Sequence, residues 1–270
     1  MESVLDPKAV VEVADAFVRD IETECRERLT RWKTDFARLE LHEVVGALVV
    51  RQVILAKHLA QSASLWNWDV APLFMRPMTE VYLNLAWILA DPDARAHAFV
   101  LHGLGQAKLR VEHLKTAQEN ASEENKRRAA ETIDELERWI DSQQYRFLTD
   151  VNLGNWSETN LRKMAEEVGE LSFYNYCYAP YSAGVHSMWH HIGIYNLEQC
   201  MNPLHRFHRV PAIAELGADV HFLYLAGKYL RMVFQVFDRF TGLKVESPSA
   251  FGALLTRLAA LTPSPPATEV

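Results

Sequence analysis

The sequence predicts an all-α protein: a single helical bundle of about nine helices, long and antiparallel, with no sheet. Three observations carry that expectation. Gly and Pro number 11 each in 270 residues, about two thirds of the roughly 12% that average proteins carry, which leaves few tight turns for a sandwich, a barrel or a Gly-rich nucleotide-binding sheet. Apolar residues recur at spacings of three and four along most of the chain, and no run alternates with period two. Proline falls repeatedly just inside the start of an apolar-periodic stretch, at Asp6-Pro7, at Asp91-Pro92 and at Ser247-Pro248, where a fixed φ and a missing N–H fit the first helical turn.

The elements follow in order. A first helix opens at Asp6, and Val10, Ala14, Phe17, Ile21, Cys25, Leu29, Trp32, Phe36 and Leu39 continue it as one long stripe. A second covers Leu41 to Leu65, and a third runs from Val70 to Ala90 with Pro77 inside it, which predicts a kink. A fourth runs from Asp91 to Asn120. A fifth, capped by Ser122 and ending near Tyr145, is so heavily charged that residues 122–145 form a solvated or partner-facing face. Arg146 to Trp156 is a loop, and Ser157 caps a short helix that stops at Gly169. An aromatic-dense helix from Leu171 is broken at Pro180 and resumes to Cys200, residues 202–211 are irregular, and a long helix follows from Pro211 to Phe240. Residues 1–261 form one helical bundle domain, and 262–270, with three prolines, a disordered tail.

Composition bounds the function without fixing it. A net charge of −7 excludes a general polyanion-binding surface. Three cysteines (Cys25, Cys177, Cys200), odd in number and far apart, fit a reduced chain. The start lacks a signal-peptide pattern. The best spanning candidate, Val81 to Ala90, is about half of the roughly 20 apolar residues a membrane helix needs. The expectation is a soluble cytoplasmic protein with no membrane partner and no cofactor.

Two constellations carry chemistry. Arg76 and Glu80 stand four apart inside a strongly apolar helix, where a charge is costly unless paired. They form either a salt bridge at the bundle rim or a guanidinium, oriented by its glutamate, that holds phosphate or carboxylate. The second is the run from Tyr174 to His191. There Pro180 interrupts a helix and Ser182 caps the next, and His186 and His190 lie one turn apart on one face beside Tyr178 and Tyr181. It is either an anion or base pocket at a helix start or an aromatic core with satisfied histidines. No Glu-x-x-His, His-Glu-x-x-His, Gly-x-Ser-x-Gly or P-loop occurs. His205 and His208 lie in an irregular segment with Arg206 and Arg209, and no metal ligands are assigned.

On Arg76-x-x-x-Glu80 and on Tyr178-x-x-x-Ser182-x-x-x-His186, about a hundred residues later, the chain resembles the all-helical bacterial domain-of-unknown-function family numbered 5677, over about Leu41 to Leu230. It is also broadly similar to the HEPN superfamily of helical bundles, often dimers, many of them metal-independent ribonucleases of toxin–antitoxin and phage-defence systems. That resemblance implies a homodimer with RNA or a nucleotide as partner. The superfamily signature, Arg followed by His after four to six residues, fits Arg51 with His58 and Arg95 with His102, a coincidence expected by chance. A working Arg–His pair is therefore to be assembled through space from Arg76 and His186. The implied roles are His186 as general acid/base, Arg76 as phosphorane stabiliser, Glu80 as its orienter, and Tyr178, Tyr181, Ser182 and His190 as substrate contacts. The alternative is a non-catalytic interaction or ligand-sensing module in which the same side chains form a structural network.

Overall fold

The computed structural model describes residues 6–119, 121–143 and 159–261. Helix α1 (Pro7–Arg31) starts as its sequence requires, with the Asp6 carboxylate accepting the Lys8 N–H at 3.1 Å. It does not run on to Leu39. The Asp35 side chain caps a 3-10 turn over Phe36–Arg38, and α2 (Leu39–Ala60) begins behind it. The apolar spacing spans this corner only because α1 and α2 pack on each other, each burying its own stripe. Phe36, at the corner, is 82% exposed.

Helix α3 (Pro72–Ala90) continues through Pro77, and α4 (Pro92–Gln118) turns back against the charged α5 (Glu123–Asp141). Tyr145, the loop from Arg146 to Trp156, Ser157 and the tail 262–270 lie outside the described residues. The short α6 (Leu161–Glu167) is capped by Asn160, whose side chain accepts the Lys163 N–H at 3.0 Å, and it ends at Gly169 in the left-handed region (φ +76°).

The aromatic run behaves differently from expectation. It is not broken at Pro180. The one-turn α7 (Leu171–Phe173) leads into a π turn over Tyr174–Tyr178 and then into α8 (Ala179–Val185) without interruption. The wide turn, closed by the Ala179 N–H donating to Tyr174 C=O, draws the preceding carbonyls away from the proline ring that would clash with them in an α-helix. Ser182 therefore sits inside α8 and does not cap it. The real break comes after Val185, where Ser187 adopts φ +49° and Met188 N–H donates to Ala183 C=O at 2.9 Å. Helix α9 (Trp189–Tyr195) starts anew beyond it, so His186 and His190 belong to different elements.

A small sheet follows, against the expectation of none: β1 (Leu197–Gln199) pairs antiparallel with β2 (Arg209–Pro211), Glu198 opposite Val210. Three-residue strands, largely exposed, are too short to print an alternation. The long helix α10 (His221–Thr241) starts ten residues later than Pro211, where the Asp219 side chain accepts the His221 N–H at 2.8 Å. It closes on Gly242 at φ +70°, and α11 (Ala250–Leu261) ends the described chain.

Helix α10 is the centre of the packing. It lies against α2 and α3, with α1 and α11 beside it. Phe17, Ile21, Val45, Ala56, Leu59, Met75, Met78, Phe222, Val233 and Phe237 have essentially no exposed surface; each large side chain contributes about 1.5–3 kcal/mol on burial. Val111, Ile133 and Ile140 form a separate small cluster between α4 and α5. The main core also encloses charge. The Arg28 fork donates to both Asp238 carboxylate oxygens at 2.8 and 2.7 Å and pairs with Glu24 at 3.0 Å, while Glu24 accepts the Ala250 N–H at 3.0 Å. One buried guanidinium thereby ties α1 to α10 and, through Glu24, to α11. Among the described residues no helix is long and apolar enough to cross a membrane.

Candidate functional site

Helix α3 lies along α8 with one pairing per turn. At Pro72 the contact is tight: a Cβ on Gly184 would stand 2.9 Å from the proline ring and 2.9 Å from the His191 ring. One turn on, the Arg76 guanidinium meets α8 side on. Its Nε donates to Ser182 Oγ at 3.1 Å, its Nη2 donates to Tyr178 OH at 2.6 Å, and Nη1 pairs with Glu80 at 3.2 Å. The Tyr178 ring lies 4.9 Å beneath the cation and stacks on Tyr174 at 5.0 Å. Arg76, Glu80, Tyr178 and Ser182 are thus one assembly drawn from segments a hundred residues apart.

Its members Arg76, Glu80 and Tyr178 floor an open hollow of about 490 Å³, walled by Asn84, Tyr174, Asn160 and Arg162. Helix α6 supplies the last wall and is bolted to α3 from behind. Trp87 Nε1 donates to Glu167 at 2.6 Å, Tyr82 OH donates to Glu170 at 2.7 Å, and Arg95 bridges Glu167 to the Trp87 carbonyl. A guanidinium has five N–H groups. Among the described residues three are engaged, and the Arg76 side chain is 22% exposed. Burial, and then the Glu80 charge, push the Tyr178 phenol above its ordinary pKa, so at neutral pH it keeps its proton. Accepting from Arg76 and hydrogen-bonded to Ser182 as well, it stands as a neutral hydroxyl beside the cation.

The remaining expected residues stand elsewhere. His186, at the C-terminal end of α8, is exposed, and its ring has no hydrogen-bond partner among the described residues. Tyr181 turns to the opposite side of α8, into the core, where its hydroxyl meets Tyr229 OH at 3.1 Å and burial pushes its pKa up to about 12. It holds the helix down and is not placed to touch a ligand at Arg76. His190 is exposed on α9 and lines a second hollow of about 440 Å³ with Trp68, Pro72 and Tyr195. Its neighbour His191 follows the satisfied-histidine alternative: it is buried, with Nε2 3.1 Å from Asp69, whose other oxygen accepts from Asn196 at 3.3 Å. Two adjacent histidines at a helix start carry no signal for which one faces inward. Arg51 and His58 are both exposed on α2, and Arg95 is engaged behind α6.

The family of unknown function DUF5677 matches residues 42–199, more than half of the chain. This chain belongs to DUF5677. No curated protein and no solved structure matches it. The DUF5677 segment contains Arg76, Glu80, Tyr178, Ser182, His186 and His190, and therefore both hollows. Helices α1, α10 and α11 lie outside it.

Proposed function

We propose that the Arg76 hollow binds the phosphate of a nucleotide or of an RNA strand, making this DUF5677 chain a ligand-sensing module. The observation that supports this reading is the state of Arg76: a guanidinium fixed by Glu80, Tyr178 and Ser182, yet facing an open hollow with two N–H groups unspent among the described residues. Arg162 and the Asn84 and Asn160 side chains add cationic and neutral donors around it, and the Tyr174 ring on its wall offers a plane for a base. Pre-set geometry lowers the ordering cost of binding. Isothermal titration with inorganic phosphate, AMP and a short single-stranded RNA tests it. Arg76→Ala is expected to weaken the best ligand by at least about tenfold, the share of one charge-assisted hydrogen bond. Equal affinity in wild type and variant, or no affinity in either, overturns it.

A catalytic version of the same reading is favoured by one observation: His186 follows Ser182 by one helical turn, its N–H donating to the Ser182 carbonyl at 3.0 Å, and its ring has no hydrogen-bond partner among the described residues. In that version His186 moves the proton and Arg76 steadies the phosphorane charge. Its mark is RNA cleavage by the wild type that His186→Ala abolishes while RNA binding persists. Binding without cleavage leaves the sensing role alone.

A further inference from the structure

The connection between β1 and β2 holds a second cluster, outside the DUF5677 segment. Cys200 Sγ lies 3.6 Å from His205 Nδ1, and one ligand atom each from Cys200, His205 and His208 falls within 4.8 Å of the others. We propose that these three side chains bind a zinc ion, with water in the fourth position. Zinc–sulfur and zinc–nitrogen bonds of about 2.3 and 2.0–2.1 Å in a tetrahedron set neighbouring ligand atoms roughly 3.5 Å apart. The Cys200–His205 pair already stands at that separation, and a small side-chain rotation closes the third.

The backbone builds the site from three nested turns. Cys200 N–H donates to His208 C=O at 3.1 Å, His208 N–H to His205 C=O at 2.9 Å, and His205 N–H to Asn202 C=O at 2.9 Å. These bonds put the three ligands on one side of the loop without help from the rest of the fold. Cys200 is half-buried and both histidines are exposed, so an ion reaches them from solvent. The two arginines of the loop turn elsewhere: Arg206 lies over the Phe207 ring, and Arg209 donates to Gly193 C=O at 2.5 Å. One thiolate with two imidazoles is a borderline-soft set that selects zinc over calcium or magnesium. On binding, the Zn–S bond forms as the Cys200 thiol releases its proton to water. His205 binds through Nδ1 with its proton on Nε2, giving up the 3.3 Å contact from the Asn202 amide.

The full chain, stripped with a chelator and re-equilibrated with zinc chloride, is expected to hold one zinc per chain by elemental analysis. Cys200→Ser and His208→Gln should each lower the affinity at least about 100-fold in competition with a chromophoric chelator, since even outer-shell changes cost about 10–100-fold. His113→Gln, on exposed α4, should leave it unchanged. Cobalt in place of zinc should give a thiolate-to-metal absorption band that Cys200→Ser removes. Circular dichroism of each variant should match the parent, because the loop lies outside the core. No stoichiometric zinc, zinc retained by both ligand variants, or cobalt bound without the thiolate band overturns the proposal.

Discussion

Arg76 holds its position through three different partners, and each makes a separate demand on side-chain shape. A lysine carries the charge but not the planar fork that reaches Glu80, Tyr178 and Ser182 together. Arg76→Lys is expected to fold and yet to lose phosphate affinity nearly as fully as Arg76→Ala, a comparison that titration reads directly. Arg28 tests the opposite case, a cation whose role is internal. Removing it strands Glu24 and Asp238, and Arg28→Ala should lower unfolding free energy in urea by about 3–5 kcal/mol, the usual cost of breaking a buried pair. The two arginines were unequally visible in the sequence. Arg76 and Glu80 interrupt an apolar stretch, so their cost announces them. Arg28 sits among Arg26, Glu27 and Arg31, where one more charge looks like solvated surface, and only the fold reveals that Asp238, far along the chain, meets it.

At the level of elements, two glycines set how closely helices pass. A Cβ on Gly227 would stand 2.9 Å from both Leu254 and Phe251, at the crossing of α10 and α11. Gly227→Ala is expected to cost about 1–3 kcal/mol as overpacking, seen as a lowered melting temperature. Gly184→Ala would drive α8 from Pro72 and from His191, and should weaken ligand binding at Arg76 as well as stability, because α8 carries Ser182 and continues directly from the turn that holds Tyr178. The helices themselves were largely legible, from caps such as Asp6 and Ser122 and from the apolar period. Their joints were not. The corner after Arg31 hides behind an uninterrupted apolar spacing, and the aromatic run looks severed at Pro180 although the π turn carries the helix through. That turn holds one residue more than an α-helical path needs. Deleting exposed Tyr176 would return the run to α-helical pitch and set the Pro180 ring against the carbonyl four residues before it, a cost of about 3 kcal/mol read as a lowered melting temperature.

For the molecule as a whole, the C-terminal region is latched to α1 by a carboxylate that responds to acid. Glu27 accepts hydrogen bonds from the Ser247 hydroxyl and from the N–H groups of Glu246 and Ser247, and these, with the Arg31 charge, hold its pKa down to about 2 from the ordinary 4.5. A carboxyl that binds its proton less tightly when folded adds stability above about pH 4.5, and that stability drains away as pH falls toward 2. Denaturation midpoints measured from pH 6 to pH 2.5 should drop for the parent and drop less for Glu27→Gln. The latch also bears on what the family boundaries mean. Residues 42–199 mark kinship, but the faces of α2 and α3 within them are covered by α10, whose Phe222 and Phe237 are wholly enclosed. An excised 42–199 fragment would bare those faces to water and is expected to clump more than the intact chain on expression. The stretch that marks the family stops short of the helix that shelters its apolar faces from water.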